Sequence, residues 1–169
     1  MYNIRLPHDE ELEKLILGLC LYSDTAFTLI SQNIASRDFN NPKNSRIFDT
    51  LQDMARLGEP IDLPLFCSFA RNAGNLEACG GYAHISSLLD GLPRSTEKNT
   101  LYYCRKLRLL SLRREIIKRC YKVIAVSNGL DPNEEIIMLR NGIEKYIGFK
   151  EEANHGRRDH DSKGIVLIS

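Results

Sequence analysis

Residues Ser95–Ser127 read STEKNTLYYCRKLRLLSLRREIIKRCYKVIAVS, without a proline or a glycine. Such a run predicts one helix of about 30 residues, roughly 45–50 Å long at 1.5 Å per residue. Asn128-Gly129 is then a stop signal and Asp131-Pro132 a fresh start, so the spacing predicts a helical hairpin. On the outgoing arm Tyr102, Leu109, Leu112, Ile116, Cys120 and Val123 share one side, and on the returning arm Ile136, Leu139, Ile143, Tyr146 and Ile147 form a stripe that Gly142 weakens. So long a hairpin cannot bury both stripes against a small neighbour, and association with another subunit is expected. Tyr102, Leu109, Leu112, Arg113, Ile116, Leu139, Ile143 and Tyr146 are the expected subunit-interface residues. Arg113 and Lys106 project toward the apolar side and are expected to pair with carboxylates across a hairpin contact.

Working back from Pro93, the signals stay helical and strand signals are nearly absent. Asp9 is a good N-cap, followed by Glu10 and Glu11 and by the apolar spacing Leu12, Leu15, Ile16, Leu19. Gly18 inside that helix costs about 1 kcal/mol against Ala, which implies a close neighbour there. Ser23 or Asp24 caps a second helix carrying Phe27, Ile30 and Ile34. After a turn at Ser36–Asn41, Pro42 suits the first position of a third helix, which runs through Ile47, Phe48, Leu51 and Met54 to a stop at Gly58. Asp62 caps a fourth helix with Leu65, Phe66 and Phe69. Gly80-Gly81 opens a short fifth, ended by Gly91 and Pro93. The expected architecture is all-α: a helical head at 1–93, a helical hairpin at 94–148, and a polar linker at 149–169.

Composition narrows the function classes. At 43% hydrophobic and 27% charged residues the chain is of the globular type, and no apolar run approaches the roughly 20 residues needed to span a bilayer. Met1–Pro7 has no apolar signal core, so the cytoplasm is the expected address and no membrane partner is expected. Cys20, Cys67, Cys79, Cys104 and Cys120 are scattered without a C-x-x-C pair, which suits reduced thiols acting as small core hydrophobes. His155 and His160 beside Asp159 and Asp161 lie in the polar tail, and no metal site is expected. No Ser-His-Asp or Cys-His set is readable, and the carboxylates of the head look like caps and surface.

Charge is uneven. Residues 1–93 carry 7 Lys/Arg against 12 Asp/Glu, whereas residues 94–122 carry 10 against 2. Arg108, Arg114, Lys118, Arg119 and Lys122 fall within an arc of roughly 140° on the long helix. One reading is phosphate contact with single-stranded DNA, salt-dependent as such contacts are. The other is a solvated face answering the acidic head, favoured because no aromatic side chains interleave the charges.

Ordered motifs then carry a family resemblance. LPHDEELEKLILGLCL (Leu6–Leu21) is similar to the opening of DnaB-type replicative helicases, with its Pro, acidic Glu-x-Glu and Leu-Gly. RDFNNPKNSRIF (Arg37–Phe48), GEPIDL (Gly58–Leu63), GNLEACGGYAHISSLLDGLPRSTEKNTLYY (Gly74–Tyr103) and LRRE (Leu112–Glu115) follow in the family's order. The resemblance spans about residues 6–127, and 131–148 by pattern. It departs at Leu12, where a small residue is usual, at His84, where an aromatic is common, and at Glu115, which interrupts an apolar run.

The resemblance implies a collar domain: hairpins pairing between subunits as a dimer or hexameric ring, above the motor domains, and offering a docking surface for primase and helicase loader. By family position Glu11 and His84 are the expected partner-binding residues. A motor would need a P-loop, but none of the nine lysines follows a glycine. No catalytic residue or cofactor is therefore expected in this chain, ATP and Mg belonging to a full-length helicase. The chain is expected to be either a fragment of one or a natural motorless homologue, in which case it would regulate the intact helicase.

Overall fold

The computed structural model describes residues 6–126, with side chains through residue 120. Among the described residues six α-helices follow in chain order: α1 (Glu10–Tyr22), α2 (Asp24–Asn33), α3 (Pro42–Leu57), α4 (Leu63–Asn72), α5 (Gly81–Ser87) and α6 (Glu97–Val126), with a 3-10 turn at Ser36–Asp38 between α2 and α3. No strand occurs among the described residues, as the helical spacing predicts.

The helix ends follow local chemistry. The Asp9 carboxylate accepts the Leu12 N–H at 3.0 Å and starts α1. Ser23 serves two helices: its N–H donates to the Leu19 carbonyl at the end of α1, and its hydroxyl accepts the Ala26 N–H at the start of α2. Pro42 occupies the first turn of α3 behind the Asn41 cap, and Gly58 ends the helix in the left-handed conformation (φ 73°) that a side chain disfavours. Asp62 caps α4 through the Leu65 N–H at 2.8 Å. Each cap satisfies backbone groups that the helix itself leaves unpaired.

α1 lies at the centre of this packing. Helical spacing predicts one apolar stripe of Leu12, Leu15, Ile16 and Leu19. In the fold Leu12, Ile16, Leu17, Leu19, Cys20 and Leu21 are all buried, while Leu15 packs only partly. Neighbours enclose the second half of the helix on nearly every side, which a single-stripe pattern does not anticipate. Against it α3 turns Ile47, Phe48, Leu51 and Met54, and the Phe48 ring packs at 5.3 Å from Phe39 and 6.4 Å from Phe27. Each such side chain contributes about 1.5–3 kcal/mol when fully buried.

Two compact units divide the chain at Ser111/Leu112. The head drawn at 1–93 thus gains the first half of α6, where Thr100, Cys104, Leu107 and Ser111 are buried at helical spacing. Lys106 also joins this first unit. Its ammonium meets the Asp9 carboxylate, the cap of α1, at 2.8 Å. The second unit begins at Leu112 and includes the remainder of α6. The expected returning arm, with Leu139, Ile143 and Tyr146, and the linker at 149–169 lie outside the described residues.

Gly18 supplies the close approach that its place in a helix implies. A Cβ there would run into the Leu88 carbonyl oxygen and stand 2.7 Å from Leu92 Cδ2. Gly18→Ala should therefore destabilise the protein by about 2 kcal/mol, the overpacking outweighing about 1 kcal/mol of helix propensity. Urea denaturation monitored by circular dichroism measures the difference, and an unchanged or higher midpoint would refute the contact.

Candidate partner-docking surface

The expected partner residues Glu11 and His84 sit on α1 and α5. Glu11 is the more open, its side chain 86% exposed and its carboxylate accepting from Lys14 Nζ at 3.1 Å. Lys14 also meets Glu10 at 3.6 Å. His84 is half-buried, and the charges of Lys14, Glu10 and Lys43 are near enough to act on it. Glu10, Glu11, Lys14, Lys43 and His84 therefore form one polar patch where the starts of α1 and α3 meet α5.

Beneath this patch lies a feature that sequence reasoning missed. Glu13, 1% exposed, accepts from the Asn40 N–H at 2.6 Å, the Asn41 N–H at 3.2 Å and the Asn44 side-chain amide at 2.9 Å. Its carboxylate sits at the N-terminus of α3, where the helix dipole favours negative charge. Asn44, itself fully buried, accepts from His84 Nε2 at 3.0 Å. A hydrogen-bonded chain thus runs from the core of α1 through α3 to the surface of α5. Reading the head's carboxylates as caps and surface fails at Glu13. The available signal was its register: 13, 16, 17 and 20 share one helical face, and the other three are buried Ile16, Leu17 and Cys20.

His84 is held neutral near pH 7. Burial lowers its pKa below the usual 6.5, and the positive charges of Lys43 and Lys14 lower it further against the opposing pull of Glu10. The buried thiols move the other way: burial raises Cys20, Cys67 and Cys79, and takes Cys104 up to about 11. These four are core side chains of low reactivity, as the cysteine pattern implies.

The remaining expected site residues lie on α6. Tyr102 is 62% exposed and Leu109 half-buried, both in the first unit. In the second, Ile116 is half-buried, Arg113 exposed and Leu112 buried. Of the basic set, Lys118 and Arg119 are exposed and Arg108 is half-buried. Arg114, expected on a solvated basic face, is 4% exposed. It shares the register of Leu107 and Ser111, so the arc that gathers the charges also runs along buried positions. The side chain of Lys122 lies outside those described.

The Gly80-Gly81 turn is followed by Tyr82, and the His84 ring packs against Gly80 where a P-loop would leave room for phosphate. Among the described residues no group of three or more His, Cys, Asp or Glu is placed to hold a metal ion. An open groove of about 960 Å³ runs between α2 and residues 93–100. Its lining, including Tyr22, Thr25, Thr28, Gln32, Arg94 and Glu97, offers hydroxyls and charges of both signs without a His, Cys or Lys. No helix among the described residues is long and apolar enough to cross a membrane.

The Glu13 network makes a quantitative claim. Glu13→Ala leaves two backbone N–H groups and a buried amide without their acceptor, and should cost about 3 kcal/mol; Glu13→Gln, which keeps one acceptor oxygen, should cost less. Thermal and urea unfolding measure both, and equal stability of Glu13→Ala and wild type would show that these bonds hold nothing together.

Comparison with known proteins follows the same lines. The family model described as DnaB-like helicase N terminal domain matches residues 5–108. Replicative DNA helicase DnaB of Treponema pallidum (strain Nichols) is 30% identical over 112 residues, which is 66% of this chain and 25% of that protein. The chain thus spans about a quarter of that relative's length. The crystal structure of the N-terminal domain of DnaB helicase from Mycobacterium tuberculosis superposes with a TM-score of 0.73 at 23% identity, covering 83% of this chain and 99% of that one. A DnaB-like replicative helicase solved with its interactions with primase gives 0.63 at 21% identity, covering 86% of this chain and 35% of that one. The fold is that of these domains, and the chain belongs to the DnaB-like helicase N-terminal domain family.

Proposed function

We propose that this domain is the collar of a replicative DNA helicase, associating subunits and docking primase and helicase loader during DNA replication. The observation that carries the association reading is the two-sided use of α6 in the first unit. Thr100, Cys104, Leu107 and Ser111 are buried, whereas Tyr102 leaves 62% of its surface exposed and Leu109 is half-buried. An aromatic this open, two turns before a half-buried leucine on the same helix, suits an interface anchor. Docking is supported by the Glu11–His84 patch, and primase is the partner because the similar DnaB-like helicase interacts with primase. ATP hydrolysis is no part of the role proposed for these residues.

Leu109→Asp should weaken self-association about tenfold or more while the helical content stays unchanged. Sedimentation velocity over a concentration series reads this directly. A wild-type chain that remains monomeric at the highest concentrations would sink the association reading.

The exposure of Lys118 and Arg119 favours a second reading, contact with single-stranded DNA. Replacing both with Glu should then weaken DNA binding and flatten its salt dependence by roughly 0.7 in log–log slope for each phosphate no longer engaged. Identical binding isotherms for the variant and wild type would discard it.

A further inference from the structure

The Glu13–Asn44–His84 chain determines which ring nitrogen of His84 carries the proton. Glu13 accepts two backbone N–H groups and so presents lone pairs to Asn44. Asn44 must turn its NH2 toward Glu13, at 2.9 Å, which leaves its carbonyl oxygen for His84 at 3.0 Å. An oxygen acceptor at that distance requires Nε2–H. Neutral His84 therefore carries its lone pair on Nδ1.

The ring also lies against the Gly80 turn. A Cβ on Gly80 would lie 2.9 Å from His84 Cβ and Cδ2 and 3.0 Å from Cγ, so the Cδ2 edge lies against the turn and Nδ1 is on the opposite edge. Nδ1 has no hydrogen-bond partner among the described residues. A half-buried acceptor with a set tautomer, held at Nε2 by Asn44 and without a partner among the described residues, is poised for an incoming donor.

Resting on the docking reading, we infer that His84 Nδ1 is a hydrogen-bond acceptor for the docked protein. That partner then meets His84, within the patch of Glu10, Glu11, Lys14 and Lys43, with a hydrogen-bond donor, such as a hydroxyl, Lys or Arg side chain. A carboxylate there would oppose lone pair to lone pair. Protonating His84 turns Nδ1 into a donor, so docking carries its own pH dependence. Lys43 on α3 and Lys14 on α1 oppose protonation and Glu10 favours it; Glu13 acts from behind Asn44, Glu77 lies beside Gly81, and on the α4 side Arg71 stacks over Tyr82. With the pKa below 6.5, the acceptor is intact above that value and is lost as pH falls through the folded-state pKa.

The test uses the full chain and primase from the same organism. Wild type should bind about tenfold more weakly at about pH 5 than at about pH 7.5. His84→Phe, which keeps an aromatic ring but no nitrogen, should bind about tenfold more weakly at the higher pH and show little further loss at the lower. A His84→Phe variant with wild-type affinity and pH profile would overturn the inference while leaving docking intact. A wild type that fails to bind primase at either pH would take down the docking reading, and this inference with it. Long-range proton–nitrogen spectra of histidine-labelled wild type provide an independent arm: Nε2–H with a bare Nδ1 supports the inference, and Nδ1–H overturns it whatever the affinities turn out to be.

Discussion

Glu13 is a carboxylate 1% exposed on the central helix, and the start of α3 is built around it. A buried charge is costly unless its lone pairs find donors, and here the donors are two backbone N–H groups and a buried amide. The same residues that begin α3 thus make Glu13 tolerable in the core. Because Asn44 reaches outward to His84, this internal requirement also sets the chemistry of the outer surface. The packing of α1 against α3 and the character of the proposed docking patch follow from one hydrogen-bonded chain.

A second constraint is the closeness of α1 to the end of α5. Gly18 lets the α1 backbone abut the Leu88 carbonyl, with Leu92 packed beside it. That contact brings the turn after α5 against the central helix, and α5 in turn carries His84. Nearby, the Asp9–Lys106 ion pair joins the first turn of α1 to α6. The pair is partly exposed, so it contributes little stability; it records how near the two elements lie. Lys106 holds the Asp9 carboxyl below its usual value of 3.8, so its contribution is present above that pH and fades as pH falls through the lowered pKa.

α6 shows how one helix can serve two purposes. Its first half buries Thr100, Cys104, Leu107 and Ser111 with the head, while Tyr102 remains open. A boundary drawn at Pro93 from turn residues alone therefore falls early, because a proline marks where the chain changes direction and not where packing stops. Arg114 makes the same point. Helical angle groups it with Lys118 and Arg119, yet only those two are exposed.

Features governed by neighbours along the chain were legible before any packing was known. Caps at Asp9, Ser23 and Asp62, Pro42 in the first turn of α3, the stop at Gly58 and the uninterrupted run that becomes α6 are set within a few residues of one another. The role of Gly18 was readable too, since a glycine inside a strong helix points to a close approach by a neighbour. Three-dimensional packing was needed to show which sides of α1 are enclosed, where Lys106 finds its carboxylate, and that Glu13 and Arg114 are buried. The difference is one of range. Capping energy depends on atoms a turn apart, whereas the burial of Glu13 depends on donors that arrive from residues 27 to 31 positions away.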